Sequence, residues 1–236
     1  MYASISIASA SLLVLVRALP SRGAAHATTI SDTYTYYTGD GSVADGWPDM
    51  SNWGSWSDLW SANAAIMLNT CGWNGWGDDD SSDEITDIQS AIEQVASSTG
   101  VDERFILAIM MQESEGCVRV PTTDNGVVNP GLMQSHDGSG TCAGVDPCPQ
   151  SEITQMITDG TAGTSSGDGL EQVIAQTETN LGVTTSQAFY AAARLYNSGS
   201  VDYTNLDDGL GSTPCYASDV ANRLTGWTLA ASACTA

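Results

Sequence analysis

The chain has 236 residues, with 28 Asp and Glu against 6 Lys and Arg, for a formal net charge of −22. Nucleic acids and anionic membranes need a basic footprint, and this composition has none to offer. The chain has no lysine and only two histidines. A phosphate-binding loop of the G-x-x-x-x-G-K type is therefore excluded. No G-x-S-x-G elbow supports a serine triad, and no C-x-x-C pair supports zinc. The chemistry left is the kind done by carboxylates.

Taken in chain order, residues 1–27 read as a secretory signal. An apolar run covers 5–16, and Ala25-His26-Ala27 fits an A-x-A cleavage site. The run is too short to span a bilayer, and no other segment is long enough. Removal of this segment would leave Arg104, Arg119, Arg194 and Arg223 against all 28 acids, a net charge of −24. That excess reads either as a solvated surface or as attraction to a cationic polymer such as chitosan. All six cysteines lie beyond residue 27. An even count in a secreted chain predicts three disulfides. Cys142 and Cys148 enclose only a short loop and form the clearest pair; the other pairings stay open.

Residues 28–80 are rich in Tyr, Trp, Gly, Ser and Asp. Their aromatics either line a sugar-binding groove or pack. A helix is expected over 57–69. Asp78-Asp79-Asp80 with Ser81-Ser82 reads as a solvated hinge into a second unit, 81–236. Ser81 and Glu84 form a capping box, Ile85, Ile88, Ile92 and Val95 recur at helical spacing, and Gly100 stops the run. Asp102 caps a helix over 103–114. Further helices are expected near 151–159, 169–180, 186–197 and 216–225, with a short hairpin around 118–130. The predicted class is mainly α, stapled by disulfides.

Ile106, Ile109, Met110 and Glu113 share one helix face, apolar except for the glutamate. Glu113 is then either a core-edge residue satisfied by Arg104, Arg119 or Arg194, or a carboxyl held against apolar side chains, where it resists ionisation. A proton-retaining carboxyl is what glycosidic bond cleavage needs as its general acid. Glu115 falls on another face and should meet solvent. Phe189, Ala192, Ala193 and Tyr196 share a second helix face, so Tyr196 can reach inward from a buried stripe.

Three motifs in order carry a resemblance: Gln112-Glu113-Ser114, then Gly131-Leu132-Met133-Gln134, then Tyr196-Asn197-Ser198-Gly199. Over residues 81–227 the chain resembles the lysozyme-like superfamily, and within it soluble lytic transglycosylase domains and goose-type lysozymes, particularly secreted fungal members. Ser198 departs from the commoner alanine, a sterically mild change. The resemblance implies a helical lysozyme-like domain with a substrate cleft. It also implies a substrate of β-1,4-linked N-acetylhexosamine, most often peptidoglycan. Glu113 would line one wall as the acid. Gly131, Leu132, Met133 and Gln134 would form a turn and strand at the other, with Tyr196 and Asn197 at the floor.

Goose-type lysozymes place further acids between the first two motifs and after the second. Asp124 and Asp137 correspond approximately, as candidates for a water-holding base. His136, beside Asp137, can bond that acid or the substrate. The expected protein is a secreted, monomeric muramidase with no metal or organic cofactor, no nucleic-acid partner and no membrane partner. The alternatives are a lytic transglycosylase, a chitinase or chitosanase, and a glycan-binding module that does not cut.

Overall fold

The computed structural model describes residues 29–234. The predicted signal lies outside them. Seven helices run in chain order: α1 Trp56–Asn74, α2 Ser82–Thr99, α3 Glu103–Ser114, α4 Gln150–Ala162, α5 Leu170–Leu181, α6 Ser186–Ser198 and α7 Tyr216–Thr225. Between α3 and α4 lies a two-stranded antiparallel hairpin, β1 Thr123–Asp124 and β2 Val128–Asn129, with Thr123 opposite Asn129. The protein is mainly helical, as expected. No helix among the described residues is long and apolar enough to cross a membrane.

Local signals explain most boundaries. The α2 capping box forms in both directions between Ser81 and Glu84. Asp102 accepts from the Arg104 backbone N–H at the start of α3. Helix α1 runs past the expected stop at residue 69 and ends at Asn74. Its added turn carries Cys71, which is tied to Cys117 just beyond α3. Cys142–Cys148 pair as expected, and Cys215–Cys234 complete the set. Three disulfides are compatible with an extracellular protein.

Helix α3 departs from the one-sided pattern expected of it. Residues 105–111 are all buried, so the helix is apolar on every face. Phe105, Leu107, Ala108 and Met111 fill the faces that the Ile106/Ile109/Met110 stripe leaves open. Helices α1, α2, α4 and α7 pack around it.

Residues 29–80 pack on the remainder of the chain. The Trp47 and Trp53 rings are 1% and 2% exposed, which settles them as core. Trp53 Nε1 donates to the Tyr190 hydroxyl, and that hydroxyl donates to the Pro48 carbonyl, both at 2.8 Å. The Asn222 side chain pairs with both backbone groups of Thr35 at 2.7 Å. Among the aromatic residues of this segment, only Trp73, at 59% exposure, stands well out into solvent.

The expected hinge at 78–82 is exposed as expected except at Asp80. Asp80 is buried and accepts from the Val118 backbone N–H and from Arg119 at 3.2 Å. The Arg119 guanidinium also bonds Glu84 at 2.7 Å and Asp146. A run of three aspartates looks like surface in one dimension. Here the third turns inward because a buried arginine, far off in sequence, requires its charge. Burial in turn pushes the Asp80 carboxyl up to about 7. Replacing Arg119 by Met should strand Asp80 and Glu84 without their cation and cost about 3–5 kcal/mol. Urea unfolding at pH 7 should show this as a lower midpoint with unchanged slope.

Candidate functional site

Glu113 lies in the last turn of α3, where the protein's central apolar helix comes to the surface. Its neighbours in sequence close that end. The Ser114 hydroxyl donates to the Met110 carbonyl at 3.0 Å, and Glu115 adopts a left-handed conformation at φ 52°. The Glu115 carboxylate turns outward and accepts from Asn74 at 2.9 Å. Glu113 remains half-buried. Burial pushes its carboxyl up to about 7, opposed by the hydrogen bond from the Tyr216 hydroxyl. The negative end of the α3 dipole acts in the same direction as burial, since no basic residue occupies that last turn.

Arg104, Arg119 and Arg194, expected as possible partners, are committed elsewhere, and so is Arg223. Arg104 pairs with Asp102 at 2.7 Å and lies over the Trp53 ring. Arg119 serves Asp80, Glu84 and Asp146. Arg194 bonds the Thr213 carbonyl and Asn197. Arg223 donates to Gln112 at 2.8 Å and lies over the Trp227 ring. Among the described residues none of them forms an ion pair with Glu113. Its acidity is therefore set by burial, the helix end and one phenol.

Helix α7 positions that phenol. Cys215, held by Cys234, precedes the helix in a left-handed conformation, and Tyr216 takes the first helical position. One turn on, Asp219 accepts from the Tyr34 hydroxyl at 2.6 Å and from Gln112 Nε2 at 3.1 Å. Gln112 thus bridges Asp219 and Arg223, locking the end of α3 to α7 beside Glu113.

The second motif, 131–134, forms a turn with no strand of its own. The hairpin precedes it, because Pro130 ends β2 and Gly131 turns the chain at φ 72°. A Cβ on Gly131 would come within 2.6 Å of the Gly140 carbonyl and of Met156, so only glycine fits that crossing. Leu132 and Met133 are buried core residues. Gln134 ties the turn to the base of the hairpin: Nε2 donates to Gly131 and Pro121 carbonyls at 3.1 and 3.3 Å, and Oε1 accepts from Thr123 at 2.9 Å.

Tyr196 joins this turn to Glu113. Its hydroxyl donates to the Met133 carbonyl at 2.8 Å. Burial, and then the Glu113 charge, raise its pKa. Gly160 on α4 makes the junction feasible, since a Cβ there would stand 2.3 Å from Met133 Cβ and 3.0 Å from the Tyr196 hydroxyl. Tyr196 thus ties the third motif to the second and lies close enough to Glu113 to feel its charge.

The remaining candidates sit differently. Asp124 is exposed on β1 and accepts from the Gly126 N–H at 2.9 Å, stabilising the hairpin turn. Asp137 and His136 are exposed side by side, with His136 Nε2 at 3.8 Å from the Asp137 carboxylate. Among the described residues neither aspartate is bonded to Glu113. Asn197 turns its amide oxygen to Arg194 and to the Thr213 N–H, the latter at 3.2 Å. Sequence reasoning passed over Tyr216. Its single signal was an aromatic at the start of an expected helix, directly after a cysteine.

One cluster among the described residues has the spacing of metal ligands: Cys71, Asp80 and Cys117. Its two sulfurs are bonded to each other and offer no thiolate. Two adjoining concavities of about 940 and 220 Å³ share Gly100, Val101 and Phe189, and Glu113 lines neither. No protein-family model and no curated protein matches this chain.

The raised carboxyl carries a stability signature. Folding holds the Glu113 proton more tightly than the unfolded chain does, so its contribution falls as pH rises from about 4.5 through about 7. Glu113→Gln should be more stable than wild type by about 1–3 kcal/mol at pH 8. The difference should vanish below pH 4, as read by urea unfolding across that range.

Proposed function

We propose that this protein is a secreted lysozyme-like glycosidase that cleaves β-1,4 bonds in N-acetylhexosamine polymers, with peptidoglycan as the leading substrate. The observation that carries the reading is a carboxyl raised to about 7, without a cationic partner, at the meeting point of α3, the 131–134 turn and α6. A carboxyl that keeps its proton near neutral pH can give it to the glycosidic oxygen as the C1–O bond breaks. The sugar then carries oxocarbenium character, and an oxygen nucleophile completes the exchange at C1. The resemblance in the three motifs supplies the substrate class.

Two nucleophiles give two versions of this reaction. In hydrolysis a second carboxylate holds water, at about 6.5–9.5 Å from the acid in an inverting enzyme. Asp124 and Asp137 are the candidates. In lytic transglycosylation the 6-hydroxyl of the substrate attacks C1 and its proton returns to the Glu113 carboxylate, so no second carboxylate is needed. The exposed Asp124, engaged in its hairpin turn, and Asp137, beside His136, favour this second version.

Glu113→Gln should lower turnover of purified peptidoglycan by about 10²–10⁴-fold. Wild-type activity should hold at acid pH and fall as pH rises through about 7, because the acid must be protonated. Mass spectrometry of the products separates the versions: reducing ends mean hydrolysis, and anhydro ends mean transglycosylation. Equal activity in Glu113→Gln would end this assignment. No product from peptidoglycan, chitin or chitosan would leave a binding module in its place.

A further inference from the structure

Arg194 is an expensive residue for α6 to carry. Its side chain is fully buried, and burial disfavours its charge. An aliphatic residue would continue the buried face of Tyr190 and Ala191 without that cost. Two of its nitrogens are fixed: Nη1 donates to the Thr213 carbonyl at 2.8 Å, and Nη2 donates to Oδ1 of Asn197. The guanidinium carbon lies 5.7 Å from the centroid of the Tyr216 ring. At the other end of that ring, the hydroxyl donates to Glu113.

We propose that Arg194 is a positioning residue for Glu113 that acts through Tyr216, holding the ring in place and strengthening its hydroxyl as a donor to the carboxyl. A cation near an aromatic face draws on the ring electrons, which leaves the phenolic O–H more polarised. A stronger donor stabilises the carboxylate form of its acceptor. Asn197 then has its place in the same device. Its amide oxygen takes one arm of the guanidinium, and the Thr213 carbonyl takes another. The charged and titratable groups around Arg194 are Asp207, Asp208 and Tyr216. Those facing Glu113 are Tyr216 from α7 and Tyr196 from α6. Arg223 on α7 also acts on Tyr216. It stays in place when Arg194 is replaced, so the loss of Arg194 moves Glu113 in a single direction, upward.

This inference rests on Glu113 being the reacting carboxyl, but its test needs no substrate and fails independently of the glycosidase assignment. The Glu113 carboxyl would be titrated by NMR in carbon-labelled protein, with Glu113→Gln identifying its resonance. Arg194→Met should raise the Glu113 pKa by about half a unit or more. Tyr216→Phe should raise it as well, and in that background Arg194→Met should add nothing. A merely structural arginine would lower the melting temperature and leave this titration in place, and that outcome overturns the proposal. Where Arg194→Met does not fold, Asn197→Ala frees one arm of the guanidinium. It should give a smaller upward shift that Tyr216→Phe abolishes, and an unshifted Glu113 in that variant overturns the proposal equally.

Discussion

The architecture depends on the burial of α3 over residues 105–111. A helix that is apolar on every face must be surrounded, and α1, α2, α4 and α7 are the elements that surround it. The consequence for chemistry appears at its end. Just past the point where the apolar stretch stops, Glu113 places a carboxyl that still belongs to the core's low-polarity surroundings. Burial and the negative end of the helix dipole both favour its protonated form. The disposition of Glu113 thus follows from where the core ends.

The supports around that carboxyl are built from distant parts of the chain. Gln112 joins α3 to α7 through Asp219 and Arg223. The Cys215–Cys234 bond anchors the residue preceding Tyr216. Tyr196 reaches from α6 to the Met133 carbonyl, over a passage that Gly160 keeps open. Each contact is modest alone, since a hydrogen bond contributes about 1 kcal/mol net. Their value lies in fixing geometry around a group whose protonation must be controlled.

The economy of positive charge sharpens this arrangement. Four arginines remain in the described residues, and each is engaged in a specific network. With no lysine and so many acids, any cation left near Glu113 would lower its pKa and spoil a proton donor. Arg194 lies over the Tyr216 ring and acts on Glu113 only through that phenol, which tempers the acid without pairing with it. Arg119 acts structurally, drawing Asp80 out of an acidic run and into the interior.

Much of this was legible in the chain itself. The α3 boundaries followed from Asp102 as cap and the end of the apolar run, α2 from its capping box and Gly100, and the Cys142–Cys148 pair from proximity in sequence. These are local signals, carried by residues within a turn or two of each other. Glu113 was legible as a candidate because it interrupts an apolar face. The partner of that carboxyl was not legible. Tyr216 lies 103 residues away, and nothing local distinguishes a phenol that meets a carboxyl from one that merely packs. Asp80 was misjudged for the same reason, since its cation is 39 residues off. Sequence by itself determined which segments are helical and which carboxyl sits at a core boundary, because backbone propensity and apolar periodicity act at short range. Tertiary structure alone decided which groups face that carboxyl, because the protonation of a buried acid depends on whatever folding brings within a few ångströms of it.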